Sequence, residues 1–99
     1  MDKIIISEPI EFEWDKGNVE KNFKKHGIEN REAEEIFLNE PLISEDKEHS
    51  KTEKRYQCLG VTDKNKKLFI SFTVRKGKIR IISVRRMDKK ETNKYEQET

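Results

Sequence analysis

Apolar residues recur along the chain at two spacings, and each spacing predicts an element. In "IEFEW", Ile10, Phe12 and Trp14 alternate with Glu11 and Glu13, which predicts a half-buried strand with one wet face. "DKGNVEKNFKKHG" reads as a helix: Asp15 or Asn18 can cap it, Val19 and Phe23 stand one turn apart, and Gly27 is a natural stop. A second helix starts at Asn30, with Ala33, Ile36 and Phe37 on one face, and Pro41 ends it. The second half predicts a meander. "LISE" is a short strand and "DKEHSKTEK" a charged connection; "RYQCLGV" is the next strand, turned by "TDKNK". "KLFISFTV" then turns at Arg75, Lys76 and Gly77 into "KIRIISVR". Asp88 and Glu91 form a capping box for a short last helix around Tyr95. Residues 1–9 read as a flexible lead-in and residues 10–99 as a single small domain of the α+β class. Its order is an N-terminal strand, two helices, an antiparallel sheet of about four further strands and a short C-terminal helix, with helices over one face.

The last hairpin carries a register expectation. A turn centred on Lys76 and Gly77 pairs Val74 with Ile79, Phe72 with Ile81 and Ile70 with Ser83, an apolar face for the helices to cover. The other face then pairs Thr73 with Arg80, Ser71 with Ile82 and Phe69 with Val84. Arg80 therefore belongs to the side away from the helices, and a slip of one residue would bury it.

Composition changes this picture in one respect. Apolar residues make up only 31% of the chain and charged residues 42%, so the core is lean, yet the clustering at strand and helix periods argues against disorder. The net charge of +2 conceals an asymmetry: between Arg75 and Lys90 stand eight Lys or Arg against Asp88 alone. A basic stripe on a near-neutral body is the footprint of a polyanion binder, and a solvated face is the plainer alternative. Cys58 is alone, which leaves neither a disulfide framework nor a Cys-based zinc site, and two distant histidines make no metal site. No cofactor is expected. No apolar run exceeds three residues, against a signal peptide or spanning helix, so a cytoplasmic protein is expected.

Taken in order, "FEWD" followed by Asn22 and "KHG", "EAEEIFLNEPL", "EDKEHSKTEKRY", the Gly60 strand, and "IRIISVRR" followed by Glu91 and Tyr95 resemble the BrnT toxin family of bacterial type II toxin–antitoxin systems. The likeness runs from about residue 10 to 97. It implies a RelE-like ribonuclease fold and a translation-blocking ribonuclease. It also implies neutralisation by a BrnA-like ribbon-helix-helix antitoxin, the complex repressing its own promoter and touching operator DNA only through the antitoxin. Val84 stands where members commonly carry a small alanine, a change expected to alter packing more than chemistry. The "MDKKE" run replaces a more usual alanine- and arginine-rich helix start.

Metal-free RNA cleavage needs a base for the 2′-hydroxyl, cations for the charged phosphorane and an acid for the leaving oxygen. Arg80 and Arg85, then Arg55, suit the second role, because a guanidinium matches phosphate oxygens bidentately and keeps its charge. The alternative for Arg85 and Arg86 is strand-end solubility or an antitoxin salt bridge. His49 is the candidate for proton transfer, assisted by Glu53 and Lys54; the alternative is an exposed loop histidine. His26 suits the end of the first helix, where a cation meets the helix dipole, and the resemblance at "KHG" keeps it a catalytic candidate; neighbouring Lys25 can reach a phosphate. Trp14 and Phe69 are stacking candidates for bases, with core and partner contact as their respective alternatives, and Lys78 joins Lys54 and Arg86 as an RNA-binding candidate. A catalytically degenerate toxin fold that binds an antitoxin, repressor or nucleic acid is the competing function.

Overall fold

A computed structural model describes residues 10–14 and 16–99, with backbone alone at positions 16, 18–20 and 22. The period-two segments form five strands: β1 (Phe12–Glu13), β2 (Leu42–Glu45), β3 (Arg55–Val61), β4 (Lys67–Arg75) and β5 (Lys78–Arg86). They make one sheet in the order β1-β5-β4-β3-β2. The last four run antiparallel as a meander, and β1 joins the far edge parallel to β5, pairing Phe12 with Ile79 and Glu13 with Arg80. The sheet is therefore mixed. The β4–β5 turn places Lys76 and Gly77 both at positive φ, 51° and 77°, which fits the two-residue hairpin geometry.

Two helices cross between β1 and β2. α1 spans Lys16–His26 and ends as Gly27, at φ 66°, bonds its N–H to the Phe23 carbonyl at 2.8 Å. Asn18 lies inside this helix and does not cap it; the lead-in 1–9 and the proposed cap Asp15 fall outside the described residues, as does the Val19 side chain. Phe23 is exposed. α2 spans Asn30–Leu38 and opens on a reciprocal box between Glu29 and Glu32. Its Ala33, Ile36 and Phe37 are buried against Cys58, Ile70, Phe72, Ile79 and Ile81. Phe12, Phe37 and Phe72 meet edge to face with centroids 5.5 and 5.1 Å apart, and Tyr56 stacks on Phe72 at 5.4 Å. Burial pushes the Cys58 thiol well above its ordinary range, as suits a small core residue.

Two expectations change. β5 follows the expected register only to Phe72–Ile81; a bulge beside Ser71 and Phe72 then shifts the pairing to Ser71–Ser83, Ile70–Val84 and Phe69–Arg85. Ile82 is the extra residue. Val84, not Ser83, thus lies in the core beside Ile70, and it is fully buried. The last helix, α3 (Lys89–Glu98), opens with the expected Asp88–Glu91 capping box but lies against the face opposite α2. There Lys90, Glu91 and Lys94 flank a groove of about 190 Å³ floored by Leu42, Leu59 and Phe69, and Glu96 bonds Lys67 at 2.7 Å. Among the described residues no helix is long and apolar enough to cross a membrane.

The approach of α2 to β3 is possible only because position 60 lacks a side chain. A Cβ on Gly60 would stand 2.5 Å from Ile36 Cγ2, and Ile36 is fully buried. Gly60→Ala is therefore expected to lower unfolding stability by about 1–3 kcal/mol, as overpacking does in a close-packed core. Urea denaturation of the variant against the parent checks it.

Candidate nucleic-acid site

The connection between β2 and β3 is held by its own polar side chains. The Asp46 N–H donates to the Arg55 carbonyl at 2.8 Å, the Ser50 hydroxyl donates to the Asp46 carbonyl at 2.6 Å, and the Arg55 N–H donates back to Ser50 Oγ at 2.9 Å. Between these ties, Lys47–His49 forms a single 3-10 turn whose first carboxylate, Asp46, caps the His49 N–H. The same carboxylate sits 2.9 Å from His49 Nδ1. Burial works against the charge on Asp46, yet the bonds from His49 and Gln57 hold its pKa below the ordinary value, so it is an acceptor only. Nδ1 must then carry the hydrogen, and Nε2 is the nitrogen that Asp46 does not engage, on an exposed ring.

This loop stands over the open face of the sheet and encloses a polar cavity of about 310 Å³. His49, Glu53, Arg55 and Arg80 line it together, with Thr73, Arg75 and Ile82. Four of the side chains singled out from sequence thus converge, and the alternation of strands explains why: Arg55 pairs with Thr73, and Thr73 with Arg80, all on one face. The Thr73 hydroxyl is buried and donates to the Lys54 carbonyl at 2.8 Å, tying the loop to the sheet. Arg75 grips Glu53 through three contacts of 2.9–3.1 Å. Mainly for that reason, with the charge of Arg80 adding, the Glu53 carboxyl is held down at about 2. Arg80 is half-buried and stands 3.7 Å from Glu13 of β1.

Arg85, on the same face, has a different setting. Glu91 takes it bidentately at 2.8 and 2.9 Å, which raises its pKa, and its guanidinium lies 4.1 Å above the Phe69 ring. It lines a second cavity of about 210 Å³ with Lys21, Lys25 and His26 of α1, across Ile82, Ser83 and Val84. Lys54, Lys78, Arg86 and Trp14 line neither cavity. Lys54 reaches toward Glu45 at 3.9 Å, Lys78 sits at the β4–β5 turn, and Arg86 is exposed at the strand end. Trp14 packs against the core, and among the described residues its indole N–H has no partner. Among the described residues no group of three or more His, Cys, Asp or Glu is placed to hold a metal ion.

The profile of a family described as "Ribonuclease toxin, BrnT, of type II toxin-antitoxin system" matches residues 14–91, most of the chain. The chain belongs to the BrnT family. Its fold is also similar to the crystal structure of the Brucella abortus ribonuclease toxin BrnT, with a TM-score of 0.63 at 20% identity over 81% of this chain and 99% of that one. No curated protein matches the chain. The family is described as one of ribonuclease toxins of type II systems, a class that pairs a toxin with an antitoxin.

Sequence reasoning passed over Asp46, Arg75, Thr73 and Lys21. The Asp46-to-His49 spacing was a signal, since three residues on is where a capping carboxylate reaches. Arg75 follows from the strand parity that puts it beside Thr73 and Arg80. Lys21 stands one turn before Lys25 on α1. The Glu53–Arg75 pair makes stability depend on pH. The Glu53 carboxyl falls from an ordinary 4.5 to about 2, so the stabilisation is present above 4.5 and is lost as pH falls through about 2. NMR titration of the Glu53 carboxyl is expected to show that low midpoint in this BrnT-family chain and a return toward 4.5 in Arg75→Ala.

Proposed function

We propose that this chain is a metal-independent endoribonuclease that cuts single-stranded RNA within the first cavity and so blocks translation. The observation that carries the reading is the convergence of an oriented imidazole, His49, with Arg55 and Arg80 around a concavity open to solvent. The imidazole can take the proton of the 2′-hydroxyl through Nε2 as the hydroxyl attacks the phosphorus. The phosphorane that forms carries charge on its non-bridging oxygens, and Arg80 and Arg55 stabilise it through fixed, permanently charged donors. The 5′-oxygen then leaves with a proton taken from solvent water while His49 returns the one it took, giving a 2′,3′-cyclic phosphate and no net change in protons. Glu53 is too weak a base for this at neutral pH, since Arg75 holds it at about 2; its work is to fix Arg75 beside Arg80. Asp46 positions His49 by selecting its tautomer.

Family membership supports the rest of the reading: a BrnA-like ribbon-helix-helix antitoxin neutralises the enzyme, and the pair represses its own operator, DNA contact coming from the antitoxin.

Incubation of the purified chain with RNA, in the presence and absence of a metal chelator, tests the reaction. His49→Ala is expected to slow cleavage by about 10²–10⁴-fold and Arg80→Ala by about 10²–10³-fold, both retaining antitoxin binding. Intact RNA at high protein dose, with antitoxin binding kept, would mark a binding module in place of an enzyme. Asp46→Asn is expected to cost about tenfold or more in kcat and to shift the acidic limb of the pH–rate profile, with the fold kept by circular dichroism. An unshifted profile would leave Asp46 a loop cap alone.

A further inference from the structure

The second cavity has no part in the chemistry just described, yet its composition is one-sided. Lys21 and Lys25 project from successive turns of α1, His26 closes the helix, and Arg85 faces them from β5; among the described residues no carboxylate lines it. Glu91 engages one edge of Arg85 from outside the cavity. The two cavities share a wall, the half-buried side chain of the bulged Ile82. Arg80 and Arg85 lie on the same face, about 13 Å apart at the rise of a bulged strand, which is more than a single phosphate group spans.

We propose that the second cavity binds a backbone phosphate of single-stranded RNA, a neighbour of the phosphate at which the strand is cut. The inference rests on the ribonuclease reading for which phosphate is the neighbour, but not for the anion site itself. Lysines suit such a site, because a mobile ammonium is a point charge that tolerates small displacements of the strand and is indifferent to base identity. Ile82, apolar and raised between two cationic hollows, offers a dry ridge for a ribose or base edge as the backbone passes over it. The site thereby sets a minimum substrate length and a direction of approach rather than a sequence.

Two measurements on the Lys21→Ala/Lys25→Ala double variant test it. The first is binding of a 2′-O-methyl tetranucleotide, which resists cleavage, followed by fluorescence anisotropy across a range of salt. The proposal expects affinity to drop about tenfold and the slope of log K against log salt to flatten by about 0.7 for the one phosphate lost. The second is the ratio of kcat/KM for a tetranucleotide over a dinucleotide, expected to fall toward parity in the variant and to recover when Lys25→Arg replaces Lys25→Ala. An unchanged slope together with an unchanged length preference would overturn the proposal. A flattened slope in a protein that cuts no RNA would uphold the phosphate site and remove the ribonuclease reading.

Discussion

Arg80 and Arg85 stand five positions apart on one strand, an odd separation, and an unbroken strand would point them to opposite faces. The bulge at Ile82 is what puts them on the same one. It is a local irregularity with a long reach. By absorbing one residue it keeps Ile79, Ile81 and Val84 all in the core, so the hydrophobic face survives the change of phase. It also brings Arg85 over Phe69, where Glu91 can hold it and thereby fix the start of α3. The sheet's cationic face, the seat of the last helix and the ridge between the two cavities all follow from that one inserted residue. Bulges near functional sites commonly re-aim side chains in this way.

The charges on this face are organised less by number than by partner. Arg75 is fully engaged by Glu53 and Arg85 by Glu91, each in a two-pronged pair. Arg80 stands 3.7 Å from Glu13 and lines the cavity beside the imidazole. Identical residue types on one sheet face therefore sit in different carboxylate settings. The difference comes from which carboxylates the loops and the helix deliver. The β2–β3 connection shows the same economy: Asp46 caps a 3-10 turn, closes the loop onto Arg55 and orients His49 with one short side chain and its backbone.

Much of this was legible in the amino-acid order, because strand alternation and helix caps are local. The strand limits "LISE" and "RYQCLGV", the start of α2 and the Asp88–Glu91 box could be read from a few residues each. The open-face location of Arg80 followed from the turn at Lys76 and Gly77. The bulge departs from the simple two-residue alternation, and its mark is slight: Ile81 and Ile82 adjoin, and the apolar phase passes from odd to even positions by Val84. The face chosen by α3 was not legible, since "KKETNKYEQE" has hardly an apolar stripe, and the choice is made by Glu91 and Glu96 reaching distant cations. The Asp46–His49 contact depended on the loop closing through Ser50 onto Arg55, a tie between residues whose charged neighbours read as an undifferentiated connection.

Glu91 serves two donors at once: one oxygen accepts from both the Asp88 N–H and the Arg85 guanidinium, and the other completes the fork on Arg85. An anion that drew Arg85 away would loosen the first turn of α3. Conversely, a molecule that clamped α3 in place would hold the guanidinium in reserve. Occupancy at the strand end and order at the carboxyl terminus are in this way antagonists, and thermodynamic reciprocity obliges each to discourage the other by an equal factor.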